Sequence, residues 1–159
     1  MGGSTGDTDK VRFEGVLDAM LAKARDMGVG RGVAAVVHLG DDKHMAKMHS
    51  IHYKALVSIE RRADPNRGKD DTGTNYLGVV LMKIAYAYST WTDSGSGVRP
   101  LKYGETEYRG CIIIKDESTG HYWLLGFSGA AQDDDVVISR SGAEYIRERT
   151  KDNPEEWPL

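Results

Sequence analysis

Three of the five histidines in this 159-residue chain fall in one short stretch, His44-Met-Ala-Lys-Met48-His49-Ser-Ile-His52. Imidazole is the commonest biological ligand for haem iron and transition metals, and a thioether from Met45 or Met48 adds a soft donor. As a strand, the stretch puts His44 and His52 on one face with Met48 and turns His49 away. As a helix, it puts His49 and His52 on one face, three residues apart. Neither spacing matches a recognised metal motif such as His-Glu-x-x-His, so no metal site is assigned. A solvent-facing or subunit-interface role competes with ligation.

Other chemistry-bearing residues are scattered. His38 closes an apolar run and reads as a structural histidine before it reads as a base, and His121 opens a hairpin strand. His38, Lys83 and Asp133 are the polar groups that an enzymatic reading nominates, with no sign from spacing that they meet. Tyr86, Tyr88 and Trp91 recur along one helix as a core stripe does. Tyr86 stands off that stripe and is the aromatic placed to face a flat ligand. Gly126-Phe-Ser-Gly129 precedes a helix start, but the acids Asp133 to Asp135 compete for the positive end of the helix dipole, so tight packing explains the glycines better than anion binding. The segment is one residue short of Gly-x-Ser-x-Gly, and the aspartates lack calcium-loop spacing. Cys111, the only cysteine, sits in an apolar run and reads as a buried thiol.

These residues need elements to position them. Phe13, Val16, Leu17, Met20, Leu21, Ala24 and Met27 recur at helical spacing and predict a helix over 11–27 ending at Gly28. Leu77, Val80, Leu81, Ile84, Tyr88 and Trp91 predict a second over 75–91, and a third is expected over 132–149. Gly32 to Leu39 reads as a central strand covered on both faces. Tyr108–Lys115 and His121–Phe127 read as a hairpin joined by 116–120. The stretch 43–60 fits both periods; a strand passing into a helix before Pro65 is the expectation. Residues 61–74 read as an exposed insertion, either a functional flap or a disordered segment. The expected architecture is an α/β (α+β), profilin-like layered domain with a central antiparallel sheet of about five strands flanked by helices. It occupies residues 11–150, between a flexible 1–10 tail and a 151–159 tail.

The last third of the chain carries a family likeness. Gly110-Cys-Ile-Ile-Ile-Lys115, Leu124-Leu-Gly-Phe-Ser-Gly-Ala130, Gln132-Asp-Asp-Asp135 and Ser141-Gly-Ala143 resemble the GlcG/HbpS-like (haem-degrading domain) family. Met82-Lys-Ile-Ala-Tyr-Ala87 and Val33-Ala-Ala-Val-Val37 are similar to that family's helix and first strand. His38 and the Met48-His49-Ser50 region differ from its pattern. The resemblance implies a compact ligand-binding domain that assembles with copies of itself, with some members binding haem or taking part in haem breakdown. The expected ligand is thus a small molecule, haem or another tetrapyrrole, held by His44, Met48, His49, His52, His38, Lys83 or Tyr86. Any iron is expected to take its ligand from His44–His52 and not from Cys111 or His121. An enzyme acting on a small organic molecule and a non-catalytic oligomeric adaptor are the alternatives.

A net charge of −3 gives no general attraction to nucleic acid or anionic membranes. The polar start of the chain lacks the basic and apolar regions of a secretory signal, no stretch is long and apolar enough to span a bilayer, and one lone cysteine suits a reducing compartment. The expected location is cytoplasmic.

Overall fold

The computed structural model describes residues 5–41 and 49–152. His44, Met45 and Met48 of the histidine-rich stretch lie outside the described residues. Three helices and a four-stranded antiparallel sheet make an α+β fold.

Helix α1 (Thr5–Asp26) buries Val16, Leu17, Met20, Leu21 and Ala24, the stripe expected from their spacing. It stops at Gly28, whose φ of 79° permits two closing bonds, Gly28 N–H to Arg25 O (3.0 Å) and Val29 N–H to Ala24 O (2.9 Å). Strand β1 (Gly32–Gly40) follows and is buried almost throughout. Its alternate side chains serve two cores. Ala34 and Val36 join α1 and α3 on one face, while Val33, Ala35 and Val37 join α2 on the other.

Strand β2 (Ile51–Leu56) pairs antiparallel with β1, Val36 opposite His52. The strand reading of the ambiguous stretch holds from Ile51, but the helix expected before Pro65 does not form. Val57 adopts a left-handed φ of 65° that ends β2, and the chain makes the short strand β3 (Glu60–Arg61) instead. Asp64 then caps a single 3-10 turn, Pro65–Arg67, by accepting the Asn66 N–H at 2.9 Å. Strand β4 (Thr74–Asn75) returns to pair with β3. The 61–74 insertion is exposed as expected, yet it is tied across its neck. Asp71 takes two bonds from the Arg61 guanidinium (2.8 and 3.0 Å) and one from the Asp64 N–H (2.8 Å), which together hold its carboxyl well below the usual carboxylate range. This two-stranded ribbon is separate from the main sheet, which has four strands where about five were expected.

Helix α2 (Tyr76–Thr90) starts at Asn75, whose side chain accepts the Gly78 N–H at 2.9 Å. Strands β5 (Cys111–Asp116) and β6 (His121–Ser128) form the expected hairpin, and helix α3 (Gln132–Thr150) closes the fold. The sheet order is β2-β1-β6-β5. Strand β5 begins three residues later than the pattern suggested, because Gly110 has a φ of 133° that turns the chain there. Its outer edge is covered: Ser94 Oγ accepts the Cys111 N–H and Asp93 accepts the Ile113 N–H, each at 3.0 Å.

Candidate functional site

Lys83 stands on α2 in register with Val80, Ile84 and Ala87, all buried, so the helix delivers an ammonium to the core. There Lys83 Nζ donates to Asp135 Oδ2 at 3.0 Å and to the carbonyl of Phe127, the penultimate residue of β6, at 2.9 Å. Asp135 lies in the first turn of α3, and its other oxygen accepts the Ala130 N–H at 2.9 Å. The lysine thereby ties the end of β6 to the start of α3. Both side chains are nearly sealed from solvent, at 2% and 3% exposure.

Backbone glycines make this approach feasible. A Cβ on Gly110 would lie 2.6 Å from Lys83 Nζ, 2.7 Å from Phe127 O and 2.9 Å from Asp135 Cβ. The carbonyl of Gly110 in turn accepts from Ser139 Oγ, one turn along α3, at 2.6 Å. Gly129 sits against the backbone of Arg31 and Gly32, where a side chain would collide, and lets β6 turn sharply into α3. The tight packing expected for Gly129 is the role it plays.

Electrostatically the pair is pulled toward neutrality. Burial pushes Asp135 up to about 6 although the Lys83 charge opposes this, and burial lowers Lys83 despite the carboxylate beside it. Desolvation therefore outweighs mutual attraction in both partners, and the two groups sit closer in proton affinity than a surface Lys and Asp.

Above the pair lies an open cleft of about 600 Å³. Its walls come from the β3–β4 loop with Arg61 and Arg67, the start of α2 with Tyr76, Tyr108 before β5, and the Ser128–Gln132 turn. Arg61 is committed to Asp71, whereas exposed Arg67 brings its charge to the rim. Gln132 is held in place by accepting the Arg109 N–H at 2.9 Å, and the start of α3 has no side-chain cap at Ala131 and carries Asp133, Asp134 and Asp135 in its first turn. The site thus combines a buried, hydrogen-bonded Lys83–Asp135 pair at its base with the exposed guanidinium of Arg67 at its rim.

The other nominated residues do not join it. Asp133 pairs with Arg109 on the surface, 81% exposed; the partner of Lys83 is Asp135, two positions and more than half a turn away. His38 lies toward the opposite end of β1, its ring stacked on Trp123 (4.0 Å between centroids) and its Nε2 3.0 Å from His121 Nδ1. His49 meets the Tyr88 ring edge-on at 5.8 Å, on the α2 side. His52 stacks on Phe13 of α1 at 4.0 Å, on the other side. The two described histidines of the cluster therefore sit on opposite faces of the sheet. Tyr86, expected to face a flat ligand, is 1% exposed; its hydroxyl accepts the Val98 N–H at 3.1 Å and lies 3.3 Å from Ser96 Oγ, pinning the loop after α2. Cys111 is buried, which pushes its thiol up. Among the described residues no group of three or more His, Cys, Asp or Glu is placed to hold a metal, and no described helix is long and apolar enough to cross a membrane.

No family pattern matches the chain, and no curated protein does. The fold has a known counterpart. The crystal structure of the Ybr137w protein superposes with a TM-score of 0.56 over 86% of this chain and 76% of that one, at 12% sequence identity. At that identity the likeness to Ybr137w is one of fold alone.

Proposed function

We propose that this domain binds a small organic anion, such as a short carboxylic acid, in the cleft over Lys83 and Asp135, as a ligand-binding domain of the GlcG/HbpS-like type. The observation that carries the reading is an open cleft over a buried ion pair, with the exposed guanidinium of Arg67 at its rim. A carboxylate at the rim gains charge-assisted bonds there, and its organic portion has Tyr76 and Tyr108 to lie against.

The resemblance supports the same placement, because the segments that carry it converge on the base of the cleft. Lys83 belongs to the Met82–Ala87 segment, Phe127 to Leu124–Ala130, and Asp135 to Gln132–Asp135. Self-association, which the resemblance also implies, fits best at β2, an edge strand whose Ile51 and Tyr53 are about half exposed, since Asp93 and Ser94 cover the β5 edge.

No described imidazole lines this cleft, so a histidine-held haem is not the ligand proposed for it. A haem bound from the histidine-rich stretch would use at most one of His49 and His52, given their opposite faces.

Calorimetric titration with three- to six-carbon mono- and dicarboxylic acids, each beside its neutral amide, tests the proposal, with haem added under the same conditions and followed at the Soret band. The expected result is saturable binding of at least one acid, none of its amide, and several-fold weakening by Arg67→Gln. Failure of every acid to bind overturns the anion reading, and a saturable Soret change lost in His49→Ala or His52→Ala would replace it with the haem reading.

A further inference from the structure

Two imidazoles that stand 83 positions apart in the chain meet at the end of the sheet away from the cleft. His38, near the end of β1, lies opposite Trp123 of β6, and His121 shares the Trp123 face of that strand two residues earlier. The two histidines are therefore diagonal neighbours across the β1–β6 ladder, and His38 Nε2 comes to 3.0 Å from His121 Nδ1. The His38 ring lies flat on fully buried Trp123, 4.0 Å between centroids and 17° from parallel, so the ring that aims Nε2 at its partner is held from one side. Beside it the register of the ladder shifts between His38 and Gly40, an irregularity of the kind that re-aims a side chain at a strand end.

Neither residue is sealed from solvent; both are partly exposed. A hydrogen bond between two imidazoles uses one N–H and one lone pair, and a neutral imidazole carries its proton on either nitrogen. Moving the bridging proton to the outer nitrogen of the ring that holds it leaves two lone pairs directed at one point. Two ring nitrogens bound about 2.0–2.1 Å from one metal ion stand about 2.9 Å apart at a right angle and about 3.3 Å apart at a tetrahedral angle. The observed 3.0 Å falls within that span, so an ion enters with a tilt of the rings and no movement of the strands. Imidazole nitrogen suits copper, nickel and zinc, whereas magnesium and calcium take oxygen donors. Asp116, the partner of His121 on β5, is turned to the Thr119 hydroxyl at 2.8 Å, and no group of three metal-binding side chains is gathered among the described residues, so water completes the coordination shell.

We propose that His38 Nε2 and His121 Nδ1 together bind a divalent transition-metal ion of the copper–zinc class, clamping the end of β1 to the start of β6. The site shares no residue with the cleft over Lys83 and does not rest on the anion reading.

Zinc(II), which is diamagnetic, and magnesium(II) are the probes, each titrated into protein carrying ¹⁵N-labelled histidine while the imidazole nitrogens are followed by NMR. His38 Nε2 and His121 Nδ1 should shift together and saturate with zinc(II), and magnesium(II) should move neither. His121→Phe, which keeps a ring but offers no lone pair, should weaken zinc(II) binding at His38 by about tenfold or more, and Arg67→Gln should leave it unchanged. Changes confined to His44, His49 and His52, no saturable change at His38 and His121, an equal response to magnesium(II), or undiminished affinity at His38 in His121→Phe would each overturn the proposal. The wild-type titrations decide the point if the variant does not fold.

Discussion

Replacing Lys83 by Met keeps most of the aliphatic stem in its place and removes only the charge. The change leaves the Asp135 carboxyl buried at 3% exposure with the Ala130 N–H as its remaining described partner, and it strips the Phe127 carbonyl of its Lys83 donor. Breaking a buried ion pair from one side costs about 3–5 kcal/mol, against a total stability of about 5–15 kcal/mol for an ordinary domain. For a chain of this length that is a fall in Tm of roughly 6–20 °C. Asp135→Asn should cost less, about 1 kcal/mol, because the amide oxygen can still accept from Ala130 and burial already favours an uncharged side chain at this position. In the double variant no charge is buried, and the main loss is the unmatched Phe127 carbonyl, about 1–3 kcal/mol. The two substitutions should therefore couple by about 3 kcal/mol, the double variant being more stable than Lys83→Met alone. Urea unfolding of all four proteins at pH 7, followed by circular dichroism, measures the cycle. A cost below about 1 kcal/mol for Lys83→Met, or a double variant no more stable than independent effects allow, would refute the claim that the two charges compensate each other.

The pair also makes stability depend on pH. Since burial raises Asp135 from 3.8 to about 6, the folded state holds that proton more tightly than the unfolded chain, so the contribution is present below about pH 4 and is lost as pH rises through 6. Wild-type stability relative to Asp135→Asn should fall between pH 4 and 7 in urea titrations, and a rise over that window would contradict the assignment. Gly110→Ala combines a φ of 133° with a Cβ 2.6 Å from Lys83 Nζ, and should destabilise by about 3 kcal/mol or more. Gly97→Ala, with a φ of 69° and open space around it, should cost about 1–2 kcal/mol in the same unfolding assay, so equal losses would show that crowding around Lys83 is not what makes Gly110 necessary.

The parts of this fold legible in the sequence are those in which one period dominates. The stripe from Val16 to Ala24, the buried run of β1 and the β5–β6 hairpin each had one reading, and each formed. Where two periods overlapped, over 43–60, the local pattern could not choose. What chose the strand from Ile51 was the free edge of β1, a partner distant in sequence. The histidines part company there as well: His52, in β2, stacks on Phe13 of α1, whereas His49, two residues before the strand, meets Tyr88 of α2.

The Lys83 site was half legible, and the missing half shows which signal had to be weighed. Lys83 drew notice by residue type, but Asp133 was nominated beside it although three consecutive aspartates are chemically alike. Only azimuth distinguishes them. Along α3 the buried positions are Asp135, Val136, Ile138, Ser139, Gly142, Ala143, Ile146 and Thr150, a broad helix face turned to the core on which Asp135, Ser139, Gly142, Ile146 and Thr150 follow at three- and four-residue steps. Asp135 is in register with that stripe; Asp133 lies about 200° around the axis, where it reaches Arg109 instead. The same test applied to α2 puts Lys83 in register with Val80, Ile84 and Ala87. A lysine and an aspartate that each occupy an apolar position on their own helix cannot both be buried alone, because an isolated buried charge is far costlier than a paired one. Their meeting follows from helical periodicity applied to charged residues as strictly as to apolar ones, and it places a site where the residues were read only as a dipole-favouring first turn and a nominated lysine.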